Sequence, residues 1–259
     1  MKIPVNTSGI IKLLQSFSEA HTLIAPKVLS FIEQLAHYPT LPHLFNPWQD
    51  TDINLAYDLN LNAAQIRRMQ LAVYLNERID SANIILIAEA PGYQGARFSG
   101  IPMTSERMLL GHHTHVKPSD IFNCYTDFPS INIPLRTSRP SLIRAGQCGM
   151  NEPTATIVWS HLLQAGFSAR QFVLWNTVAF HPHQTNDLMT NRTPTSHEVT
   201  TLSPLLYGFL ALFPHIKVVA LGKIAHTALS RMAIESVAVR HPSMGGANQF
   251  RQQLQNLSY

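Results

Sequence analysis

Three short polar segments each follow directly after an apolar run that has the composition of a β-strand. They are Ala88-Glu89-Ala90-Pro91-Gly92, Asn176 in Leu174-Trp175-Asn176-Thr177, and Arg240-His241-Pro242-Ser243. In an open parallel sheet, ligands bind outside the carboxyl ends of the strands. A carboxylate, an amide and an imidazole from distant parts of the sequence are therefore expected to converge on one small ring.

Composition limits the kind of protein that this chain can form. With 259 residues and 45% hydrophobic content, it is long enough for one large domain, or for one domain with a helical extension. No apolar stretch approaches the roughly 20 residues that span a bilayer, and polar residues interrupt the N-terminal apolar residues, so neither a membrane segment nor a secretory signal is expected. Cys124 and Cys148 form no Cys-x-x-Cys pair, and a cytoplasmic location is predicted. The formal net charge of +4 permits binding to a polyanion without requiring it.

The spacing of apolar residues predicts an α/β protein. Residues 8–80 show helical spacing broken by prolines, which predicts a helical N-terminal extension over residues 1–80 that packs on the core. Four apolar runs follow, with the near-continuous hydrophobicity of strands buried on both faces. These runs are Asn83–Ala88, Phe172–Val178, Lys217–Leu221 and Ser236–Val239. Residues 81–259 are therefore predicted to form a three-layer α/β/α domain around a mostly parallel four-stranded sheet.

Local signals predict where helices begin. Thr154 is predicted to cap a helix that ends near Gly166, and Thr195-Ser196-His197-Glu198 has the pattern of a capping box. Pro204 is predicted to kink or restart the second of these helices. The connection over residues 111–153 is long and poor in periodicity, so it is expected to pack beside a pocket or to meet a ligand.

Each candidate site residue also has an ordinary structural explanation. Glu89 is equally explained as a loop carboxylate facing water, and Phe98, which lies between Gly95 and Gly100, as a core aromatic rather than a stacking platform. Asn176 either reads a base edge or bonds to backbone. Met244 is either a wedge for a base stack or an incidental loop residue.

Taken together, the segments resemble the motifs of the uracil-DNA glycosylase superfamily, most closely its thermophile-type branch with an iron–sulfur cluster. The motifs of that branch are Gly-Glu-Ala-Pro-Gly with a following stacking Phe, Asn-x-x-x-x-x-Pro, Asn-Arg-x-Pro-Thr and His-Pro-Ser. The matching positions are 88–92, Phe98, Asn176 with Pro182, 191–195 and 241–243. The resemblance covers about residues 82–255, and the motifs keep their order and local spacing.

Two departures from that pattern affect the expected chemistry. Phe180 and Leu202 stand where the branch has cluster cysteines, and two cysteines cannot supply four thiolates, so a member without the cluster is predicted, with apolar packing in its place. Gly92 stands where the best-known branch has a Tyr that excludes the thymine methyl. Either another residue, for which Tyr93 is a candidate, excludes thymine, or the pocket discriminates less strictly between uracil and thymine.

The resemblance implies a monofunctional DNA glycosylase that hydrolyses the N-glycosidic bond of uracil, or of other deaminated bases, in base-excision repair. Glu89 would activate water, and His241 would stabilise the departing base. The implied substrate-binding residues are Ala90, Gly92, Tyr93, Phe98, Asn176 and Ser243. Arg240 and Met244 would contact DNA. The expected partner is DNA that contains uracil or another deaminated base, no metal or cofactor is expected, and the protein is expected to be a monomer.

Two other functions remain open from the sequence. One is a DNA- or base-binding module that keeps the pocket but has weak or no turnover, although the presence of both Glu89 and His241 argues against it. The other is a hydrolase of small nucleosides, which would act without DNA and at rates insensitive to salt. A DNA enzyme binds more weakly as the salt concentration rises.

Overall fold

A computed structural model describes residues 24–54, 56–123 and 135–256. The helices are α1 Pro26–His37, α2 Ala63–Asn76, α3 Ala96–Ser99, α4 Glu106–Leu109, α5 Pro118–Ile121, α6 Pro153–Gln164, α7 Ser196–Ala211, α8 Lys223–Arg231 and α9 Ala247–Gln255. The strands are β1 Leu44–Phe45, β2 Ile84–Ala88, β3 Phe172–Asn176, β4 His181–Pro182, β5 Lys217–Leu221 and β6 Val237–Val239. The first 23 residues of the predicted helical extension, Cys124 and part of the 111–153 connection lie outside the described residues. Within the described ranges, no helix is both long and apolar enough to span a bilayer.

The predicted sheet is present, with four strands in the order β3-β2-β5-β6. All three strand pairs are parallel, and β1 and β4 form a separate antiparallel pair. β2, β3 and most of β5 are buried, as their apolar sequences predict. The edge strand β6 differs from the prediction, because Val237 and Ala238 are exposed. The other edge strand, β3, is fully buried, so the exposure of β6 comes from less cover over its faces and not from its edge position alone.

Alternation along β3 shows how helices cover both faces of the sheet. Trp175 stacks on Phe209 of α7 at a centroid distance of 4.4 Å, and its ring lies 5.5 Å from Phe31 of α1. Phe172 points to the opposite face, where its ring lies 4.8 Å from Trp159 of α6. The sheet is therefore the middle layer of a three-layer α/β/α arrangement, as predicted.

Two predicted helix starts can be compared with the structure, and one of them is confirmed. At α7, the Thr195 hydroxyl accepts from the Glu198 amide at 3.2 Å and the Glu198 carboxylate accepts from the Thr195 amide at 2.7 Å, which confirms the capping box. Pro204 lies inside α7, which continues through it without a restart. The prediction that Thr154 caps α6 was wrong, because the helix begins at Pro153, whose fixed φ suits a first helical position.

The segment before the sheet is tied to the core by apolar packing and by buried charge. Helices α1 and α2 contribute side chains to the same hydrophobic core as the sheet. Asp58, fully buried, accepts hydrogen bonds from Arg97 at 2.6 Å and Arg67 at 3.2 Å. Burial alone would raise the pKa of Asp58, but the two guanidinium groups hold it below its usual value. Burial lowers the pKa of Arg67 to about 10, which leaves it charged at neutral pH.

Replacing Asp58 by Asn should destabilise the fold strongly, because it removes the negative charge shared by two buried cations. Breaking a buried pair typically costs about 3–5 kcal/mol. Urea unfolding of Asp58→Asn, with the exposed Asp80→Asn as the matched control, measures the loss. A change below about 1 kcal/mol would show that Asp58 does not hold these guanidiniums in place.

Candidate active site

The predicted polar residues lie at one edge of the sheet because the strand ends are in register. Ala88 at the end of β2 pairs with Asn176 at the end of β3, and Leu221 of β5 pairs with Val239 of β6. Glu89 therefore begins its turn beside Asn176. β6 is separated from β2 by β5, so the segment that leads to His241 starts about 10 Å from Glu89, given roughly 4.8 Å per strand. Asn176, on β3, is three strand spacings from the end of β6, or about 14 Å.

Glu89 is a half-buried carboxylate held by the segment that precedes α7. Burial raises its pKa above the ordinary value, and a hydrogen bond with the Thr193 side chain opposes that rise. Nearby, Asn191 Oδ1 accepts from the Tyr93 amide at 2.9 Å, which fixes the turn after Glu89. A carboxylate with a raised pKa and a hydrogen-bonded partner has the properties of a general base.

Asn176 carries a buried amide that forms no side-chain hydrogen bond with the residues that the structure describes. The residue is only 1% exposed, and neither Oδ1 nor Nδ2 is hydrogen-bonded within the described residues. The backbone that follows Asn176 is hydrogen-bonded to the end of β2. The Thr177 amide donates to Ala88 O at 2.8 Å, and the Val178 amide donates to Glu89 O at 3.0 Å. An unsatisfied buried polar group costs about 1–3 kcal/mol. The amide is therefore suited to a ligand that supplies both a donor and an acceptor.

His241 is presented as a neutral hydrogen-bond donor. Its Nδ1 accepts from the Ser243 amide at 3.2 Å and lies 2.7 Å from Ser243 Oγ. Because Nδ1 is an acceptor, we assign the proton of the neutral ring to Nε2. Burial, followed by the charge of Arg240, lowers the pKa of His241 below its ordinary value. Gly222 follows β5 and lies against His241, which follows β6. A Cβ at Gly222 would lie only 3.0 Å from His241 Cβ, so glycine lets the ends of β5 and β6 approach each other.

The predicted stacking residue Phe98 is fully buried. Its ring packs with Ala145 and Met150 from the 111–153 connection, with Tyr93 partly buried against the same group. The Arg97 guanidinium lies 4.2 Å from the Phe98 ring centroid. The described part of the connection thus packs directly on the turn after Glu89, and Phe98 is covered by protein atoms.

Glu152 is a carboxyl beside the turn after Glu89 that the sequence analysis did not single out. A Cβ on Gly92 would lie 3.6 Å from Glu152 Oε1, and one on Gly95 would collide with Oε2. Oε2 is buried without a hydrogen-bond partner among the described residues, and burial raises the pKa of Glu152 to about 7. The local signal for Glu152 was its position directly before Pro153, which marks it as the residue that precedes a helix. The prediction that the helix is capped by Thr154 placed the helix start two residues later.

His181 is a second missed residue, and its role is to support the turn after Glu89. The imidazole is fully buried, with Nδ1 2.8 Å from Pro91 O and Nε2 3.2 Å from Leu188 O. Burial lowers its pKa to about 4, so the ring is neutral near pH 7 and carries one N–H. We assign that proton to Nδ1, which makes the shorter contact, so that His181 anchors Pro91.

The residues at the cluster positions do not fit an iron–sulfur cluster. Phe180 and Leu202 are both fully buried in the main hydrophobic core, and the Phe180 ring lies 6.4 Å from Tyr38. Cys148 is a free, exposed thiol. Across the described residues, no group of three or more His, Cys, Asp and Glu side chains is arranged to hold a metal ion.

The predicted DNA-contacting residues lie on the surface beside His241. Met244, at the tip of the turn, is 95% exposed and has a positive φ of 49°. Arg240 lines an open groove of about 540 Å³ together with Lys223 and His226. An exposed apolar tip next to a basic groove is a surface that suits a nucleic acid.

Comparison with known proteins agrees with this geometry. The profile of the Uracil DNA glycosylase superfamily matches residues 77–258. The chain belongs to the uracil DNA glycosylase superfamily. Among solved structures, Pedobacter heparinus SMUG2 is similar, with a TM-score of 0.56 and 12% sequence identity over 88% of this chain and 95% of that chain. At this identity the likeness shows a shared fold. No curated protein sequence matches the chain.

Membership of this superfamily gives the class of the protein. The chain is thereby placed among DNA glycosylases, a class of hydrolases that act on DNA. The unpaired side-chain amide of Asn176 is the feature that most directly suggests a bound ligand. The energetic cost of that unpaired amide can be measured without knowing the substrate.

We expect Asn176→Leu to stabilise the protein, because it removes an unpaired buried amide and keeps a similar volume. The expected gain in the free energy of unfolding is about 1–3 kcal/mol. Asn46→Leu is the matched control, since the Asn46 amide is also buried but donates to Leu35 O at 2.8 Å and accepts from the Trp48 amide at 3.0 Å. Thermal or urea unfolding compares the two variants. Equal destabilisation by both would mean that Asn176 is internally bonded after all.

Proposed function

We propose that this protein is a monofunctional glycosylase that hydrolyses the N-glycosidic bond of uracil in DNA. The observation that carries the proposal is the unpaired Asn176 amide beside Glu89. An amide presents one acceptor and two donors, which match the adjacent N3–H and carbonyl of uracil. A base inside a duplex is out of reach, so the enzyme must extrude it into the site.

Glu89 and His241 supply the chemistry at the two ends of the reacting bond. Glu89 removes a proton from a water whose oxygen forms a bond to the sugar C1′. The bond from C1′ to the base nitrogen breaks, and its electron pair leaves with the base. His241, neutral and protonated on Nε2 by our assignment, donates to the carbonyl oxygen on which that negative charge gathers. The sugar passes through an oxocarbenium-like state.

The absence of a lysine nucleophile from the site segments supports hydrolysis without strand cleavage. Residues 88–100, 176–182, 191–195 and 240–246 contain no lysine. Schiff-base chemistry on the sugar requires an amine. Water is then the nucleophile, and the products are the free base and an intact strand with an abasic site.

The surface around His241 supports DNA as the partner. Lys223 and Arg240 in the groove provide positive charge for phosphates. Met244 extends an apolar side chain that can fill the space left in the stack by the extruded base. The site and this surface lie at the same edge of the sheet, so base contacts and backbone contacts can form together.

Glu89→Gln should bind uracil-containing DNA normally but release uracil about 10²–10⁴-fold more slowly, because glutamine cannot accept the proton from water. The measurement is single-turnover release from a labelled oligonucleotide, with Glu235→Gln, an exposed position, as control. Unchanged rates would remove Glu89 from the mechanism. DNA binding without release by the natural protein would favour a binding module, and salt-insensitive hydrolysis of free nucleosides would favour a nucleoside hydrolase.

Asn176→Asp should weaken uracil recognition, since a carboxylate presents acceptors only and repels the base carbonyl. The expected loss in kcat/KM for uracil is roughly ten- to hundredfold, corresponding to about 1.4–2.7 kcal/mol. A panel of oligonucleotides that each carry one altered base measures selectivity. Selectivity for uracil equal to that of the natural protein would refute the assignment of Asn176.

A further inference from the structure

A surface loop over residues 139–149 packs beside the turn after Glu89 and takes no part in the reaction above. Ala145, in the middle of the loop, lies in the apolar cluster against which Tyr93 packs. The exposed Arg144 guanidinium lies 5.4 Å from the Tyr93 ring centroid. Because Tyr93 belongs to the turn that leaves β2, the loop is anchored next to the proposed site.

Buried hydrogen bonds hold both ends of this loop. The fully buried Glu106 carboxylate accepts from the Ser138 amide at 2.9 Å, just before the loop, and from the Met150 amide at 3.3 Å, just after it. The Arg136 guanidinium also donates to Gln147 O at 2.9 Å. These bonds fix the loop before any partner binds, so little conformational freedom is lost on binding.

The loop presents an apolar side chain to solvent. Among the described residues, the two most exposed large apolar side chains are Ile143 at 101% and Met244 at 95%. A single exposed apolar residue is common on protein surfaces, but these two are both next to the proposed site. Ile143 lies near the end of β2 and Met244 follows β6, with β5 between the two strands. They are therefore two separate apolar tips at one edge of the sheet.

The charge around Ile143 indicates which partner fits this surface. Residues 135–151 include three arginines and contain no Asp or Glu. On the other side of the site, Lys223 and Arg240 line the open groove. Positive charge thus flanks the strand ends on both sides, which favours a polyanion that extends across the site. Duplex DNA is such a partner, and the loop is continuous with the turn that is proposed to meet its extruded base.

We propose that the 139–149 loop is a second DNA-contacting element, which places Ile143 against a base pair next to the extruded nucleotide and Arg144 on a phosphate. This inference rests on the proposed function and names a surface through which the site holds a duplex. A base pair beside an extruded nucleotide has lost a stacking neighbour, and an apolar side chain can replace that neighbour. A single strand has no such base pair, so Ile143 contributes more to binding of a duplex.

The first test measures binding without base recognition or turnover. The probe is an oligonucleotide with a tetrahydrofuran abasic analogue, as duplex and as single strand, and fluorescence anisotropy gives its affinity for the full chain. Ile143→Ala should lower the ratio of duplex affinity to single-strand affinity at least tenfold. Tyr207→Ala is the control, because Tyr207 is 48% exposed and lies near the end of α7, at the opposite edge of the sheet.

The second test measures the phosphate contact through its dependence on salt. Each phosphate neutralised by a cationic side chain contributes about 0.9 to the slope of log affinity against log salt concentration for a duplex. Arg144→Gln should therefore lower that slope by about one. Arg231→Gln, at an exposed position at the end of α8 and away from the site, should leave the slope unchanged.

The outcomes separate this inference from the proposed function. An unaltered affinity ratio in Ile143→Ala, or an unaltered slope in Arg144→Gln, overturns the inference and would leave the loop to a partner other than DNA. Uracil release from the same duplex with uracil in place of the analogue is measured in parallel. Release together with unaltered affinities overturns this inference alone. The expected losses of affinity without any release by the natural protein overturn the proposed function and leave the loop as a DNA contact.

Discussion

The in-register pairing of four parallel strands is the constraint on which the whole site depends. Because Ala88 pairs with Asn176 and Leu221 with Val239, each strand ends at the same level and releases its polar residue at the same edge. A one-residue slip would turn every side chain of a strand to the opposite face. The buried stack of Trp175 and Phe209 on one face and the contact of Phe172 with Trp159 on the other oppose such a slip.

The site is defined by polar groups that the fold leaves unsatisfied. Among the described residues, Asn176 and Glu152 both carry buried atoms without hydrogen-bond partners, whereas the fully buried Asp58 accepts hydrogen bonds from two guanidiniums. Nε and Nη2 of Arg97, beside Asp58, also have no hydrogen-bond partner among the described residues. Asn176 differs from them in its place at the carboxyl edge of a parallel sheet, where ligands bind. This contrast is expected where binding a ligand completes the hydrogen bonding.

Much of the fold could be predicted from the sequence, because its signals are local. Strands β2, β3 and β5 appear as continuous apolar runs, and the capping box marks the start of α7 at its own residues. Strand β6 was predicted as well, but its exposure was not, because the cover over a strand comes from elements distant in the sequence. Asn176 and Glu89 could be singled out as candidates because each interrupts or follows an apolar run. Glu152 and His181 were missed, because their burial arises from contacts with Gly95 and Pro91, more than fifty residues away along the chain.

The central claim is that the row of strand ends holds one extruded base, with Asn176 as its reader. The most direct measurement is the structure of Glu89→Gln bound to a DNA duplex that contains uracil. We expect the uracil outside the helical stack, with its N3–H and one carbonyl about 3 Å from the Asn176 side-chain amide. A uracil that stays stacked in the duplex, or that binds while the Asn176 amide remains unpaired, would contradict the account.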